Sequence, residues 1–244
     1  ILVLLGCLTA SAQDQPKEQT YTKPSWRFGL AGGANFNFYE GSTFKLNENF
    51  TPPATFHKGF GIWLFLAPVI LYHKKDSRWG FLFQAGYDSR KGDFDQVKTA
   101  CDCPADLSAN LNYITIEPSI RFAPFRSNFY LYGGPRLAIN LDKGFVYQQD
   151  INPAFPEQVK GADVKGDFSN TNKNIISMQI GMGYDIELST RKNATQFMLS
   201  PFVAFHPYFG QDPRSIESWN LTTIRAGVAL KFGRGTLIET KVEE

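Results

Sequence analysis

The stretch that decides the fold is Asn220–Phe232, Asn-Leu-Thr-Thr-Ile-Arg-Ala-Gly-Val-Ala-Leu-Lys-Phe. From Thr222 the residues alternate. Ile224, Ala226, Val228, Leu230 and Phe232 fall on one side of an extended chain, and Thr223, Arg225, Gly227, Ala229 and Lys231 fall on the other. Successive side chains of a strand point to opposite faces, so a period of two sustained over about ten residues predicts a strand whose faces meet different media.

Seven earlier stretches carry the same period. Trp26–Phe38 sets Trp26, Phe28, Leu30, Ala34, Phe36 and Phe38 against Arg27, Gly29, Ala31, Gly33, Asn35 and Asn37. Lys58–Tyr72 is ambiguous in register, because Trp63 and Phe65 oppose Ile62, Leu64 and Leu66. Arg78–Ser89 places Trp79, Phe81, Phe83, Ala85 and Tyr87 opposite Gln84, Gly86 and Asp88. Asn110–Phe122 opposes Ile114, Ile116, Ile120 and Phe122 to Thr115, Glu117, Ser119 and Arg121. Asn128–Leu141 opposes Phe129, Leu131, Leu137, Ile139 and Leu141 to Tyr130, Tyr132, Arg136 and Asn140. Asn174–Leu188 and Ala194–Pro207 complete the set. The first opposes Ile176, Met178, Ile180, Met182, Tyr184 and Ile186 to Ser177, Gln179, Gly181, Gly183, Asp185 and Glu187, and the second opposes Phe197, Leu199, Val203 and Phe205 to Gln196, Ser200, Ala204 and His206.

The connections between these stretches alternate between long and short. Tyr39–Phe56, Arg90–Ala109, Asp142–Lys173 and Tyr208–Trp219 read as long polar loops, while His73–Ser77, Ala123–Ser127 and Ser189–Asn193 read as short turns. An even number of antiparallel strands with long loops at one end and tight turns at the other is the plan of an outer-membrane barrel. The outward aromatics collect in two bands. Trp26, Trp79, Phe122, Phe129, Tyr184, Phe197 and Phe232 stand beside the termini or the short turns, and Phe38, Phe60, Tyr87 and Phe205 stand near the long loops. Two aromatic girdles around an aliphatic band are what a bilayer with two interfaces selects.

The competing arrangement is a soluble barrel or sandwich with the apolar face inside. The polar face argues against it. It is rich in small residues, which suit the narrow interior of eight strands, and it carries charges of both signs: Arg27, Arg121, Arg136, Arg225 and Lys231 with Asp88, Glu117, Asp185 and Glu187. Opposite charges can pair across a closed lumen, and closure removes every edge, as a membrane span requires. The expected fold is an all-β, eight-stranded antiparallel transmembrane barrel over residues 26–233, with long extracellular loops and short periplasmic turns. Pro68, Pro118, Pro135 and Pro201 lie inside these strands and each lacks a ladder donor, so bulges on the outward face are expected there.

The composition of the 244 residues agrees: 43% hydrophobic, 15% aromatic, and a net charge of +2 with the two signs interleaved rather than gathered into a nucleic-acid-binding stripe. The opening Ile-Leu-Val-Leu-Leu-Gly-Cys-Leu-Thr-Ala, followed by Ala10-Ser11-Ala12, reads as the apolar core and cleavage site of a signal peptide over residues 1–12, without its basic leader. An alternative uses Cys7 as a lipid anchor. Residues 13–25 are expected to be a flexible periplasmic lead-in, and residues 234–244 a periplasmic tail. Beyond the leader the longest apolar run, Gly59–Tyr72, is shorter than a membrane helix needs and contains Pro68.

The end of the last strand carries a resemblance. Arg225, Gly227, Leu230 and Phe232 reproduce the polar, Gly, apolar, aromatic order of the C-terminal signal by which barrel-insertion machinery recognises outer-membrane barrels. With Phe28–Phe38 (FGLAGGANFNF), "YLYGGPRLAINL", "IGMGYDIEL", "LSPFVAFHPYFGQDPRSIESWN" and "RAGVALKFG", the chain resembles the PorT-like outer-membrane β-barrel domain family of Bacteroidota over about Trp26 to Gly233. It is most like barrels at the N-terminus of larger OmpA-family envelope proteins. That resemblance implies an outer-membrane location in a diderm bacterium, contact with outer-membrane lipid, and a peptidoglycan-binding domain following Glu244. The missing initial Met and the abrupt charged end, Gly233 to Glu244, agree with a fragment of a longer chain.

Candidate chemistry is sparse. Ser200 and His206 share the inner face of one strand, but six residues of strand separate them by about 20 Å, too far for a nucleophile and its base. Cys101-Asp-Cys103 has no second Cys or His pair at zinc-site spacing, so a short-loop disulfide or two free thiols are the plainer readings. No Gly-rich phosphate loop precedes a helix. The expectation is a non-enzymatic structural or anchoring module with a closed polar lumen, no cofactor and no metal. The alternatives are a secretion-accessory or interaction protein that uses its long loops, and then a lipid-acting barrel enzyme.

Overall fold

A single sheet buries one face of every strand when it closes on itself, and this sheet does close. The computed structural model describes residues 19–125, 127–207, 212–216 and 218–238. Eight long strands form the wall: β1 (Trp26–Thr43), β2 (Phe56–His73), β3 (Trp79–Ser89), β4 (Pro104–Phe122), β5 (Phe129–Gln149), β6 (Asn174–Tyr184), β7 (Thr195–His206) and β8 (Trp219–Arg234). Each pairs antiparallel with its sequence neighbour, and β8 returns to β1 in an unbroken register from Trp219↔Gly41 to Phe232↔Phe28. The fold is an all-β, eight-stranded antiparallel barrel of the outer-membrane type.

The inside-outside assignment follows the sequence pattern. Leu30, Ile62, Leu64, Ile120, Ile180, Val228 and Leu230 are exposed around the belt, while Ala31, Asn35, Thr115, Glu117, Gln179 and Arg225 are buried in the lumen. The aromatics of the two girdles meet in cross-strand pairs. Trp79 lies against Phe122 (ring centroids 4.5 Å apart), Phe38 against Phe60 (5.3 Å) and Phe197 against Phe232 (6.3 Å). Such pairs stabilise a ladder beyond the area they cover.

The ambiguous second strand resolves with Phe65, Ala67, Val69 and Leu71 all inward. The inner face of β2 is therefore apolar, and with Tyr130, Tyr132, Met198 and Phe202 it lines one side of the lumen. That corrects the expectation of a uniformly polar interior. Trp63, which register would turn inward beside Asn35, is instead 46% exposed and lies against Lys91. There the ladder between β2 and the chain after β3 is interrupted, between Phe65↔Asp88 and Phe60↔Asp93.

The four strand prolines do not make bulges. Registers run through Leu30↔Pro68, Phe83↔Pro118, Met178↔Pro135 and Pro201↔Val228 without a shift. On its other side each proline faces a gap in the ladder. Between β4 and β5 the pairs stop at Ile116↔Leu137 and resume in the same register at Ile120↔Gly133, so Pro118 and Pro135 share one gap. A missing N–H removes a rung but adds no residue, so the strands stay in phase.

The long-loop end is more ordered than its polar composition suggests. β4 begins at Pro104 rather than Asn110 and β5 runs to Gln149 rather than Leu141, with Gly92–Phe94, Val97–Lys98 and Val164–Asp167 adding short pieces of sheet. A bulge at Leu141 shifts the register between Asn112↔Asp142 and Tyr113↔Asn140. One extra residue flips every later side chain, which is why Phe145 and Tyr147 point inward although β5's earlier lumen residues are even-numbered. They join Tyr39, Leu46, Phe56, Phe94, Leu107, Leu111, Phe168 and Trp219 in a second core that fills the long-loop end. At Gly41, φ is 121° and an added Cβ would stand 1.7 Å from the Ser218 carbonyl oxygen, so only glycine fits where β1 bends toward this core.

At the other end the two terminal segments meet. Thr20–Tyr21 pairs antiparallel with Leu237–Ile238, and the Tyr21 N–H donates to the Arg191 carbonyl (2.8 Å). The expected lead-in and tail thus form a ribbon beside the mouth. The pairing continues past Gly235, whose N–H donates to the Ala194 carbonyl (2.8 Å), and Thr236 is bonded to Thr22. Residues 1–18, and with them the signal-peptide reading, lie outside the described residues.

Candidate functional site: the charged lumen and its two ends

The lumen is organised in storeys, each set by which inward positions share a level. In the middle storey two carboxylates, Asp88 of β3 and Glu117 of β4, face three arginines. Arg136 Nε lies 3.2 Å from Glu117 and its Nη2 bonds Asp88. Arg225 Nη1 lies 2.9 Å from Glu117 and its Nη2 3.2 Å from Asp88. Arg90 Nε lies 2.9 Å from Asp88. The Arg225 Nε also donates to Asn35 (3.0 Å), and its guanidinium carbon stands 3.5 Å from the centre of the Phe65 ring. All five charged side chains are 5% exposed or less. Buried charges survive only when paired and bonded on several sides, and here each carboxylate has at least two cationic partners.

Arg90 was missed by the sequence reading, which ended the strand at Ser89 and began a loop. It continues the parity of Gln84, Gly86 and Asp88, and the same parity runs on to Gly92 and Phe94, so the signal was available. Its guanidinium also donates to Thr223 Oγ1 and lies 3.3 Å from His206 Nδ1. His206 is thus a polar lumen residue. Ser200 belongs to a different storey, where it donates to Asp185 (2.7 Å). The nucleophile and base that the sequence offered are not assembled.

The lower storey lies toward the short turns. Asp185 accepts from Arg121 and Ser200 and lies 3.4 Å from Lys231. Glu187 lies 3.2 Å from Arg27 and 3.5 Å from the more exposed Lys23. Arg121 also lies over the Tyr130 ring (4.2 Å). The Gly-Met-Gly of β6 makes room for this level. Gly181 opposes Tyr132 and Gly183 opposes Tyr130 in register, and a Cβ on either would fall 2.3–2.4 Å from the tyrosine ring or hydroxyl. A glycine lets the neighbouring ring lie across the strand. Below this level a cavity of about 320 Å³ opens at the mouth, walled by Arg27, Arg121, His73, Asp185 and Glu187 and flanked by the terminal ribbon through Thr22 and Ile238.

At the long-loop end Arg214 acts as a tie. Its guanidinium donates to the carbonyls of Lys45 (2.6 Å) and Ser169 (3.0 Å), and it lies over the rings of Phe168 (5.1 Å) and Trp219 (5.9 Å). Three long loops therefore close over the apolar core. Nothing in the sequence distinguished this arginine, because it stands in an irregular stretch with no period. At the tip between β3 and β4, Cys101 and Cys103 are joined by a disulfide. Among the described residues no three His, Cys, Asp or Glu side chains gather in a metal-binding group.

Of the nine charges that the sequence placed in the lumen, the structure brings Asp88, Glu117, Arg136 and Arg225 into the middle storey. Arg27, Arg121, Asp185, Glu187 and Lys231 fall into the lower one. Arg225 and Gly227 of the C-terminal strand pattern face the lumen, and Leu230 and Phe232 face out.

No curated protein matches the sequence. Solved structures with similarity include Ail, the attachment invasion locus protein of Yersinia pestis, described in complex with the heparin analogue sucrose octasulfate. It is 11% identical over 85% of this chain and 99% of that one, with a TM-score of 0.34. The outer membrane protein OprG from Pseudomonas aeruginosa is 14% identical over 86% and 97%, with a TM-score of 0.33. The sequence itself matches the outer membrane protein beta-barrel domain over residues 11–210. With a closed eight-stranded wall and a lipid-facing belt, this chain belongs to the outer membrane protein beta-barrel domain family, whose place is the outer membrane of Gram-negative bacteria.

Proposed function

We propose that this barrel is a sealed, non-enzymatic anchoring module, with its short turns and terminal ribbon in the periplasm and its long loops outside. The observation that carries this reading is the middle storey. Asp88, Glu117, Arg90, Arg136 and Arg225 are cross-linked by hydrogen bonds and ion pairs and are nearly inaccessible. Eight strands leave an interior that side chains can fill, and an ion passing here would have to break several buried charge pairs at once. The resemblance to PorT-like barrels of Bacteroidota, and to barrels preceding OmpA-type domains, supports the anchoring role. On that reading the terminal ribbon is the point from which a peptidoglycan-binding domain would hang.

The test is conductance. The refolded protein in a planar lipid bilayer is expected to give no steady current above the lipid background. A steady open-state current from the unaltered protein would overturn the sealed-barrel reading.

A second reading has its own observation. The long-loop end is a braced platform, held by Arg214 and the upper core, and it presents Phe155 and Val159, 51% and 92% exposed, beside the extended β4–β5 hairpin. Exposed apolar side chains on an ordered platform suit contact with a protein partner. A photo-crosslinking residue at position 159 that yields one discrete adduct on intact cells would favour this interaction role. Labelling of bulk lipid alone would count against it.

A further inference from the structure

The lower storey holds more positive charge than its carboxylates neutralise. Asp185 and Glu187 are shared among four cations, Arg121 and Lys231 on the first and Arg27 and Lys23 on the second. The cavity below them, about 320 Å³, has Lys75 and Arg191 at its rim, with Asp76 the other acid lining it. Its deeper wall is made by Arg27 and Arg121, which are 5% and 4% exposed.

These two arginines are also incompletely bonded. Each donates to one side chain, Glu187 for Arg27 and Asp185 for Arg121, and the Nε of each is buried with no hydrogen-bond partner among the described residues. His73 Nε2, on the same cavity wall, is in the same condition. A guanidinium carries five N–H donors in a rigid fork suited to planar or tetrahedral oxyanions. Buried donors normally find acceptors, and a surplus of cations attracts the group that would supply them. The arginines of the middle storey differ, because each is bonded to several acceptors and each carboxylate there has two or more arginines on it.

We propose that this mouth is a binding site for an oxyanion of the phosphate class, gripped by Arg27 and Arg121 and drawn in by Lys75 and Arg191. Phosphate is favoured over a monocarboxylate because two separated guanidinium forks and two rim cations are matched by an anion with three or more acceptor oxygens and more than one charge. The cavity admits either free phosphate or a phosphate monoester that projects from a lipid headgroup. The inference goes beyond the sealed-barrel reading and does not depend on it, since a pore with this mouth would bind the same anion.

The experiment uses the refolded chain in neutral maltoside micelles. Inorganic phosphate is titrated calorimetrically, and in a second arm lysophosphatidic acid is added to the micelles. Saturable phosphate binding that the double variant R27Q/R121Q weakens at least tenfold is the expected result. Because R27Q and R121Q each touch a buried ion pair, the surface double variant K75Q/R191Q is measured in parallel. It should keep the heat-modifiable gel shift of the folded barrel and still weaken phosphate binding several-fold. Binding of lysophosphatidic acid without binding of free phosphate assigns the site to a lipid headgroup. Absence of saturable binding of both, or binding unchanged in K75Q/R191Q and R27Q/R121Q alike, overturns the proposal.

Discussion

Replacing Arg225 by methionine tests whether the middle storey is an interlocked ion cluster or a set of separable contacts. The substitution removes the bonds to Glu117 (2.9 and 3.4 Å), the ion pair to Asp88 (3.2 Å), the bond to Asn35 (3.0 Å) and the stacking on Phe65 (3.5 Å). Breaking a buried pair by deleting one partner costs about 3–5 kcal/mol, and a desolvated cation–π contact adds about 2 kcal/mol. Two facts pull the sum down. Arg136 stays on both carboxylates and Arg90 stays on Asp88, and methionine restores apolar contact with Phe65. The expected loss is therefore about 3 kcal/mol, a factor of about 150 in the folding equilibrium constant. The double variant R225M/E117Q also removes the carboxylate that Arg136 still holds and leaves two arginines on Asp88 alone, so it should be less stable than R225M by at least about 1 kcal/mol. The assay is urea unfolding in lipid vesicles, followed by tryptophan fluorescence and by the gel mobility of unheated samples. An R225M midpoint that matches the unaltered protein would refute the reasoning. So would a double variant at least as stable as R225M, because it would mean that Arg136 does not hold Glu117 once Arg225 is gone.

Three further outcomes are expected. Val228→Arg, at the middle of the lipid-facing side of β8, should destabilise the barrel in vesicles by about 2–4 kcal/mol, and Val228→Leu should be nearly neutral; equal midpoints for the two would show that this face is not in lipid. Gly181→Val should force Tyr132 off β6 and cost about 1–3 kcal/mol, read as a lowered unfolding midpoint that a second change, Tyr132→Ala, partly restores; no restoration would show that the ring is not what the glycine accommodates. A single cysteine placed at Glu157 should react with a membrane-impermeant reagent on intact cells and one at Lys192 should not, since they lie at opposite ends of the barrel; the reverse pattern would invert the orientation.

What the sequence determined by itself is what depends on local geometry. Whether a side chain faces lipid or lumen is settled by its parity along a strand, a property of the extended backbone, and two contrasting environments write that parity directly into composition. Leu30 and Arg27, or Ile120 and Glu117, could be assigned without knowing any neighbour, and the aromatic girdles followed because each strand meets both interfaces. Above the lipid belt the outward face becomes polar while the inward face packs the upper core, so Ala105, Leu107, Ala109 and Leu111 alternate with Asp106, Ser108 and Asn110 without the apolar outer face that marks a span, and the continuations of β4 and β5 resemble polar loop. A single extra residue at Leu141 reversed the parity that would have exposed Phe145 and Tyr147 as core. Only the tertiary structure decided which charges meet. Asp88 and Arg136 are 48 residues apart and Glu117 and Arg225 are 108 apart, and they share a level because the closed sheet fixes the stagger of all eight strands at once. The same closure lays Thr20–Tyr21 beside Leu237–Ile238 and sets Arg27 and Arg121 on one cavity wall. Stagger is a property of the whole ring, set by every register together, and no single strand encodes it.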